Sequence, residues 1–542
     1  RDGPRGVQTM RGTIISRLRP GASKLLRDQG GNALILTAAA LLPVIGIVGS
    51  SIDIGRAYMT QLRLQQACDA GVLAGRRAMA GGDYGTPQKA EADKMFNINF
   101  PTGIYGSETV TFASAPSGTT DVTGTASTRL PTAVMFIFGN DAFDLAATCA
   151  AKLEISNTDV MLVLDVTGSM RSTNSGDSVS KIQGLRDAAM VFFDTLTKAE
   201  IGDGKLRFGV VPYSGTVNVG VILNNANPAW LSDEVLMPSR SPRYRNSQFL
   251  NYRYEDRTLN VAGAKGGGTV KFNTGDNGAD KSATWDGCVM ERKTTPFGAT
   301  TTAPADAYDM SIDMVPTTDD DTKWKLFFPD FAFTRGSSDS LNDGDKDSFG
   351  ETADDGNDTA ACPVQAMKLT EMNAAGKTEF TNKIASLRPQ GFTYHDTGMA
   401  WGARLLSPTG LFANENATAD NGRPISRHII FMTDGEMTAP MNNYSHQGEE
   451  QVIERVGATS NSNAVARHNN RFVQLCEKAK NMQVGDNDAK VTIWVIGFGV
   501  ALNNQLTQCA TPGKAYQTGS AEKLKGIFQS IADQISRLRL SQ

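Results

Sequence analysis

The apolar run Val160-Met161-Leu162-Val163-Leu164 leads without a break into Asp165-Val166-Thr167-Gly168-Ser169. A short unbroken apolar run fits a strand buried on both faces, as in a parallel sheet covered by helices. The three oxygen-bearing side chains then fall in the loop at the strand's carboxyl end, where open α/β sheets bind ligands. A carboxylate and two hydroxyls on alternate residues can face one point. Hard oxygen donors of this kind suit Mg²⁺ or Mn²⁺. A helix expected from about Ser178 to Leu196 would start beside the same loop.

Two later segments fit the same place. Gly391-Phe392-Thr393 precedes a helix-like stretch containing Asp396-Thr397-Gly398-Met399-Ala400-Trp401-Gly402, and Thr393 offers a further hydroxyl. His428 to Gly435 reads as a second buried strand with the Asp434 carboxylate at its end. His395 and Glu436 lie beside these motifs and read as solvent-facing polar residues.

Further strands are expected at Leu206–Val211, Lys490–Phe498 and Ala515–Thr518, with helices at Ile182–Thr197, Phe380–Leu387, Val465–Lys480 and Ala521–Leu538. Alternation of strand and helix over this length means an α/β fold with a doubly wound, mostly parallel sheet.

The chain is long enough, at 542 residues, for more than one domain, and its net charge of −4 excludes a strongly basic nucleic-acid binder. No charge occurs from Ala33 to Ile52, and about twenty apolar residues span a bilayer as a helix. Before it stand Arg1, Arg5, Arg11, Arg17, Arg19, Lys24 and Arg27 against Asp2 and Asp28. The positive-inside rule places this basic arm, 1–30, in the cytoplasm and everything after Asp53 outside. A cleaved secretory signal is the alternative, and the long basic arm argues against it. Ile54, Tyr58 and Leu62 recur at helical spacing, as do Leu64, Cys68 and Val72, so a helix over 31–82 is expected to continue past the membrane and end at Gly81-Gly82.

Residues 83–155 read as a small α+β module. Its strands are Thr109–Phe112 and Thr120–Thr125 across Pro116-Ser117-Gly118, its short apolar helix is Leu130–Phe138, and a last strand runs from Phe143 to Ile155. The stretch 214–372 is too long for a plain loop, so it is either an inserted subdomain or partly disordered. Aromatic clusters at Tyr244–Tyr254, Trp324–Phe328 and Phe331–Phe333 argue that part of it packs. Within it, Asn342 to Gly350 has EF-hand-like acidic spacing, but Ser348 stands where that loop needs glycine and Asp354 where it prefers glutamate, so a solvated acidic loop is expected. The six cysteines include no Cys-x-x-Cys pair. In an exported protein Cys288 could pair with Cys362 and Cys476 with Cys509, leaving Cys68 and Cys149, although six cysteines allow about fifteen connectivities.

Asp-x-Ser/Thr-x-Ser after a strand resembles the opening of the metal-ion-dependent adhesion site of von Willebrand factor A domains. Thr393 and Asp434 occupy the places of that family's next hydroxyl and last acidic ligand. The resemblance implies an A-like domain over 156–213 and 373–542, with 214–372 inserted in it. It also implies Mg²⁺ (or Mn²⁺) held through Asp165, Ser169 and Thr393, with Thr167 and Asp434 direct or through water, and an open position for a partner's carboxylate. The text from Arg27 to Ala33, from Ser51 to Tyr58 and from Leu64 to Ala70 resembles the N-terminal module of TadG-like proteins, bacterial Tad (Flp) pilus-assembly components in which an A-like domain follows. That likeness implies a single-pass inner-membrane protein with a periplasmic C-terminal domain and a pilus or envelope partner. No acidic residue lies between Asp28 and Asp53, unlike in type IV prepilins, so a stable anchor is expected rather than a cleaved major pilin.

No Gly-x-Ser-x-Gly elbow, Walker A loop or His-Glu-x-x-His occurs, and none of the four histidines has metal-ligand spacing, so no enzyme is expected. Two other classes stay open: a minor pilin-like subunit with a purely structural metal, and a surface adhesin.

Overall fold

The computed structural model describes residues 32–79, 84–117, 121–151, 157–198, 204–274, 279–332, 361–484, 487–489 and 491–541. The chain divides into two units, Arg1–Leu153 and Glu154–Gln542. The basic arm, the Gly81-Gly82 helix end and the EF-hand-like stretch lie outside the described residues.

The first unit is organised along one helix, α1 (Asn32–Ala78), which carries Pro43 in its interior. Among the described residues it is the one helix long and apolar enough to cross a membrane. Its first half leaves Ile35, Leu36, Ile47 and Val48 exposed. Its second half buries Leu64, Ala67, Cys68 and Val72, so that of the two expected stripes one packs, while Ile54, Tyr58 and Leu62 stay exposed. The packed stripe meets helix α2 (Thr86–Asn99) and an antiparallel sheet of β1 (Thr111–Ser117), β2 (Asp121–Pro131) and β3 (Ala142–Ala151) in the order β1-β2-β3. A disulfide joins Cys68 on α1 to Cys149 on β3, with Cα atoms 5.8 Å apart.

The apolar helix expected at Leu130–Phe138 is not formed. Leu130 is the last inward residue of a period-two series with Val122 and Ala126 on β2, and only Met135–Phe138 turns, as a 3₁₀ segment. That turn is fixed from α1. The buried Asp53 carboxylate accepts the amides of Ala133, Val134 and Met135 at 2.7, 2.8 and 2.8 Å.

The second unit is mixed α/β. Its sheet has a parallel centre: β4 (Asn157–Asp165), β5 (Leu206–Tyr213), β10 (Ile425–Thr433), β11 (Val491–Phe498) and β12 (Ala515–Thr518), in the order β5-β4-β10-β11-β12. Every residue of β4 is buried because both faces are covered. Val160, Leu162 and Leu164 face α3 (Lys181–Lys198), α4 (Ala374–Ser386) and α8 (Ala521–Ser541). Met161 and Val163 face α5 (His395–Leu406), α6 (Asn461–Lys480) and α7 (Asn504–Cys509). Helix α5 lies close on the sheet: a Cβ at Gly398 would stand 2.7 Å from the Tyr213 ring, and one at Gly402 would collide with Val163.

The stretch 214–372 does not stand apart from this sheet. Three short strands, β6 (Val217–Asn218), β7 (Cys288–Met290) and β8 (Lys325–Leu326), extend it antiparallel beyond β5, and β9 (Met367–Glu371) also pairs antiparallel with β5. Trp324, Phe327, Phe328 and Phe331 are buried in the same core as Met161, which is why their aromatic surface requires the sheet edge. Tyr244 of the first aromatic cluster is exposed, on a long hairpin of Glu234–Arg245 with Gln248–Asn260. Disulfides join Cys288 to Cys362 and Cys476 to Cys509.

Candidate metal centre

Strands β4 and β10 are parallel neighbours, with Leu164 opposite Met432, so both end at the same edge. Asp165 closes β4, and Asp434 follows Thr433 at the end of β10. The chain leaves β4 in an extended conformation at Thr167 and makes one 3₁₀ turn, Gly168–Arg171. Three loops are tied at this edge by their backbones. Gly168 N–H donates to Gly391 O at 2.9 Å, Gln390 N–H to Val166 O at 2.7 Å, and Thr438 N–H to Thr393 O at 2.9 Å. Gly391 has φ +73°, a left-handed conformation that glycine adopts without strain.

The predicted oxygen donors converge here. The hydroxyls of Thr167 and Ser169 are 3.0 Å apart, and Ser169 Oγ donates to Asp434 Oδ1 at 2.7 Å. Thr393 faces the same point: a Cβ placed on Gly435 would lie 3.7 Å from Thr393 Oγ1 and 3.9 Å from Ser169 Oγ. Gly435 therefore lies against both hydroxyls, where a branched side chain would crowd them. Thr167, Thr393 and Asp434 are buried, and Ser169 is exposed at the rim.

Asp165 sits deepest. Its Oδ1 accepts the Thr167 amide at 2.9 Å, and its Oδ2 accepts the Thr433 hydroxyl at 2.7 Å. Burial, then the nearby Asp434 carboxylate, pushes its pKa up to about 7. Two carboxylates at one buried edge favour a bound cation, which would restore ionisation. The all-oxygen donor set and the cradle kept open by Gly435 fit a divalent ion of the Mg²⁺ type.

Two residues matter here that the motif does not name. Lys181 Nζ lies 2.9 Å from Asp434 Oδ2 and already supplies one positive charge. The signal for it was its place at the start of the helix that follows the Asp165 loop. Thr433 anchors Asp165 and in turn meets His395 Nε2 at 3.0 Å. His395 is thus not solvent-facing: it is buried under the edge, against the Phe431 and Phe472 rings, and burial lowers its pKa to about 4. The sequence could not show this, because a polar residue beside a loop motif looks the same whether it faces in or out. Glu436 is exposed, as expected.

Residues 31–80 match the Tad family, Flp pilus-assembly TadE/G-like. No curated protein matches the chain. Similar solved structures include the pilus adhesin SpaC from Lactobacillus rhamnosus GG, at 11% identity and TM-score 0.32, covering 79% of this chain and 34% of that one. The chain thus spans about a third of SpaC's length. They also include the vWF domain of the type V pili tip protein Mfa5 from Porphyromonas gingivalis, at 13% identity and TM-score 0.29, covering 72% of this chain and 97% of that one. A third is a von Willebrand factor type A protein from Catenulispora acidiphila, at 10% identity and TM-score 0.27, covering 78% and 49%. Scores this low carry no inference about function.

Proposed function

We propose that this chain, whose N-terminal segment is of the Tad/Flp TadE/G-like type, is a membrane-anchored, metal-ion-dependent protein-binding component of pilus assembly or the cell envelope. The observation that carries the reading is the meeting of oxygen donors from three distant segments around the opening at Gly435. Ser169, Thr393 and Asp165 would hold Mg²⁺ or Mn²⁺, with Thr167 and Asp434 direct or through water. When bound, such an ion would supply an electrophilic centre for a carboxylate oxygen of a protein partner.

The chain's own residues do the remainder. Thr433 and the Thr167 amide orient Asp165, and the backbone ties of Gly168, Gln390 and Thr438 hold the three loops in register. Such preorganisation leaves little ordering to be paid on binding. Ser169 at the rim gives the partner access, and no side chain at Gly435 blocks it. We read the second unit as a doubly wound A-like domain with 214–372 inserted in it, and as a binding domain rather than an enzyme. The apolar first half of α1 anchors it as a single pass in the bacterial inner membrane, with the basic arm cytoplasmic and the C-terminal unit periplasmic.

The test is retention of the full chain in detergent on an immobilised peptide rich in Asp and Glu. Retention with Mg²⁺ that is lost in chelator and absent in Asp165→Ala supports the reading. Retention indifferent to chelator and to Asp165→Ala sinks it.

A further inference from the structure

A second polar cluster lies inside the same unit, away from the strand-end mouth. Asp396 on the first turn of α5, His446 after the short strand Tyr444–Ser445, and His468 on α6 each bring one ligand atom within 4.8 Å of the other two. All three are buried, at 2%, 2% and 3% exposure. His468 Nδ1 is 2.6 Å and His446 Nε2 3.4 Å from the same oxygen, Asp396 Oδ2.

The protons decide what this arrangement needs. His446 Nδ1 stands 3.1 Å from Gly215 O, and a carbonyl only accepts, so Nδ1 carries the hydrogen. Nε2 is then the nitrogen turned toward the Asp396 carboxylate, 3.4 Å away, and is the one that could ligate a cation shared with it. A histidine that gives one N–H to a backbone carbonyl and turns the other nitrogen inward has the orientation of a metal ligand.

An independent observation points the same way. A cavity of about 10 Å³ is lined by Asp396, Thr397, His446, Asp309 and Gln447 among others. It is room for one small occupant. Asp396 Oδ1, Thr397 Oγ1, Asp309 Oδ1 and Gln447 Oε1 are buried and have no hydrogen-bond partner among the described residues. Four unpartnered oxygens on residues that line one small space are costly unless something there serves them. Two guanidiniums pair with acids that line the same cavity, Arg471 with Asp309 and Arg404 with Glu291.

We propose that Asp396, His446 and His468 form a second cation site, a structural zinc site, with the unpartnered Thr397 hydroxyl completing the shell. Two imidazoles and a carboxylate suit zinc rather than Mg²⁺, which prefers oxygen donors throughout. Tetrahedral zinc sets its ligand atoms roughly 3.3 Å apart. The His446 contact has that spacing, and the His468 contact would open by roughly 0.7 Å. Because the three ligands come from α5, α6 and the loop between β10 and α6, the ion would clamp the helical layer that carries Thr393 at its edge.

The test uses the untagged full chain in detergent, stripped with chelator and loaded with Co²⁺. Expected are the visible absorption of tetrahedral cobalt, its displacement by one equivalent of zinc, and a rise in melting temperature on zinc binding. His446→Gln and His468→Gln should lose the band, and Asp165→Ala should keep it, which separates this site from the strand-end one. Thr397→Val keeps the volume and removes one oxygen, and should shift the band even if the histidine variants fail to fold. Unmodified protein that takes up neither Co²⁺ nor zinc, with an unchanged melting temperature, overturns the proposal and leaves a water in the cavity.

Discussion

Two polar clusters lie at the start of helix α5, Thr393 of one just before it and Asp396 of the other on its first turn, and they differ in how they meet solvent. The strand-end cluster has an exposed hydroxyl at its rim, a glycine at its mouth, and donors that are all oxygen. The Asp396 cluster is sealed: its ligands are buried, and two of the three are nitrogen bases. An open oxygen site exchanges its ion and can offer a position to a partner. A closed site with nitrogen ligands can only hold its ion and stiffen what surrounds it. On the proposed reading, the first cluster would serve recognition and the second would serve shape.

Since α5 supports both, the most disruptive change should break them together. Gly402→Val drives a branched side chain into Val163 and should cost about 3 kcal/mol or more. Denaturant unfolding should show that loss, together with loss of both Mg²⁺ and Co²⁺ binding. Failure to lose both would mean that the clusters do not depend on a common helix position.

Gly435→Val should separate the clusters. It fills the mouth between Thr393 and Ser169 while leaving the Asp396 cluster untouched. Mg²⁺ affinity should fall roughly tenfold or more, with the cobalt band unchanged. Lys181→Met acts at the same place in the opposite direction. The ammonium competes with a cation for Asp434 Oδ2, so its removal should tighten Mg²⁺ binding by about tenfold. Weaker binding would instead make Lys181 part of the site's support.

The smallest effect concerns pH. His395 has its pKa lowered by burial to about 4, below the usual 6.5. The unfolded chain therefore takes up a proton first as pH falls. This contribution to stability is complete above about 6.5 and is lost progressively as pH falls toward 4. Urea unfolding of His395→Phe should lose that part of the pH slope. A slope identical to the unmodified chain would show that His395 takes up its proton in the native state over the same pH range as in the unfolded chain.

The two clusters also differ in how far the sequence shows them. Asp165, Thr167, Ser169 and Asp434 each stand at or just past an apolar run, so a local pattern places them at strand ends, and there the structure has them, while Thr393 comes instead from the loop between α4 and α5. The central strands and their helices were legible for the same reason: an unbroken apolar run such as 160–164 has few homes other than a covered parallel sheet. Asp396, His446 and His468 have no such pattern. Their spacings match no motif, and only the packing of α5 against α6, with the loop after Tyr444–Ser445 laid beside them, brings them together. The antiparallel edge β6-β7-β8 was hidden because strands of two or three residues carry no periodicity. Leu130–Phe138 misled because a short apolar run suits helix and strand alike, and the Asp53 carboxylate, far away in sequence, decides how its end turns.

The most direct measurement is Mg²⁺ and Mn²⁺ calorimetry on the full chain in detergent, beside Asp165→Ala. One saturable binding event in the unmodified chain, missing from a folded Asp165→Ala, is the expected result. A folded, unmodified chain that binds neither ion would contradict an adhesion-type cation site at the ends of β4 and β10.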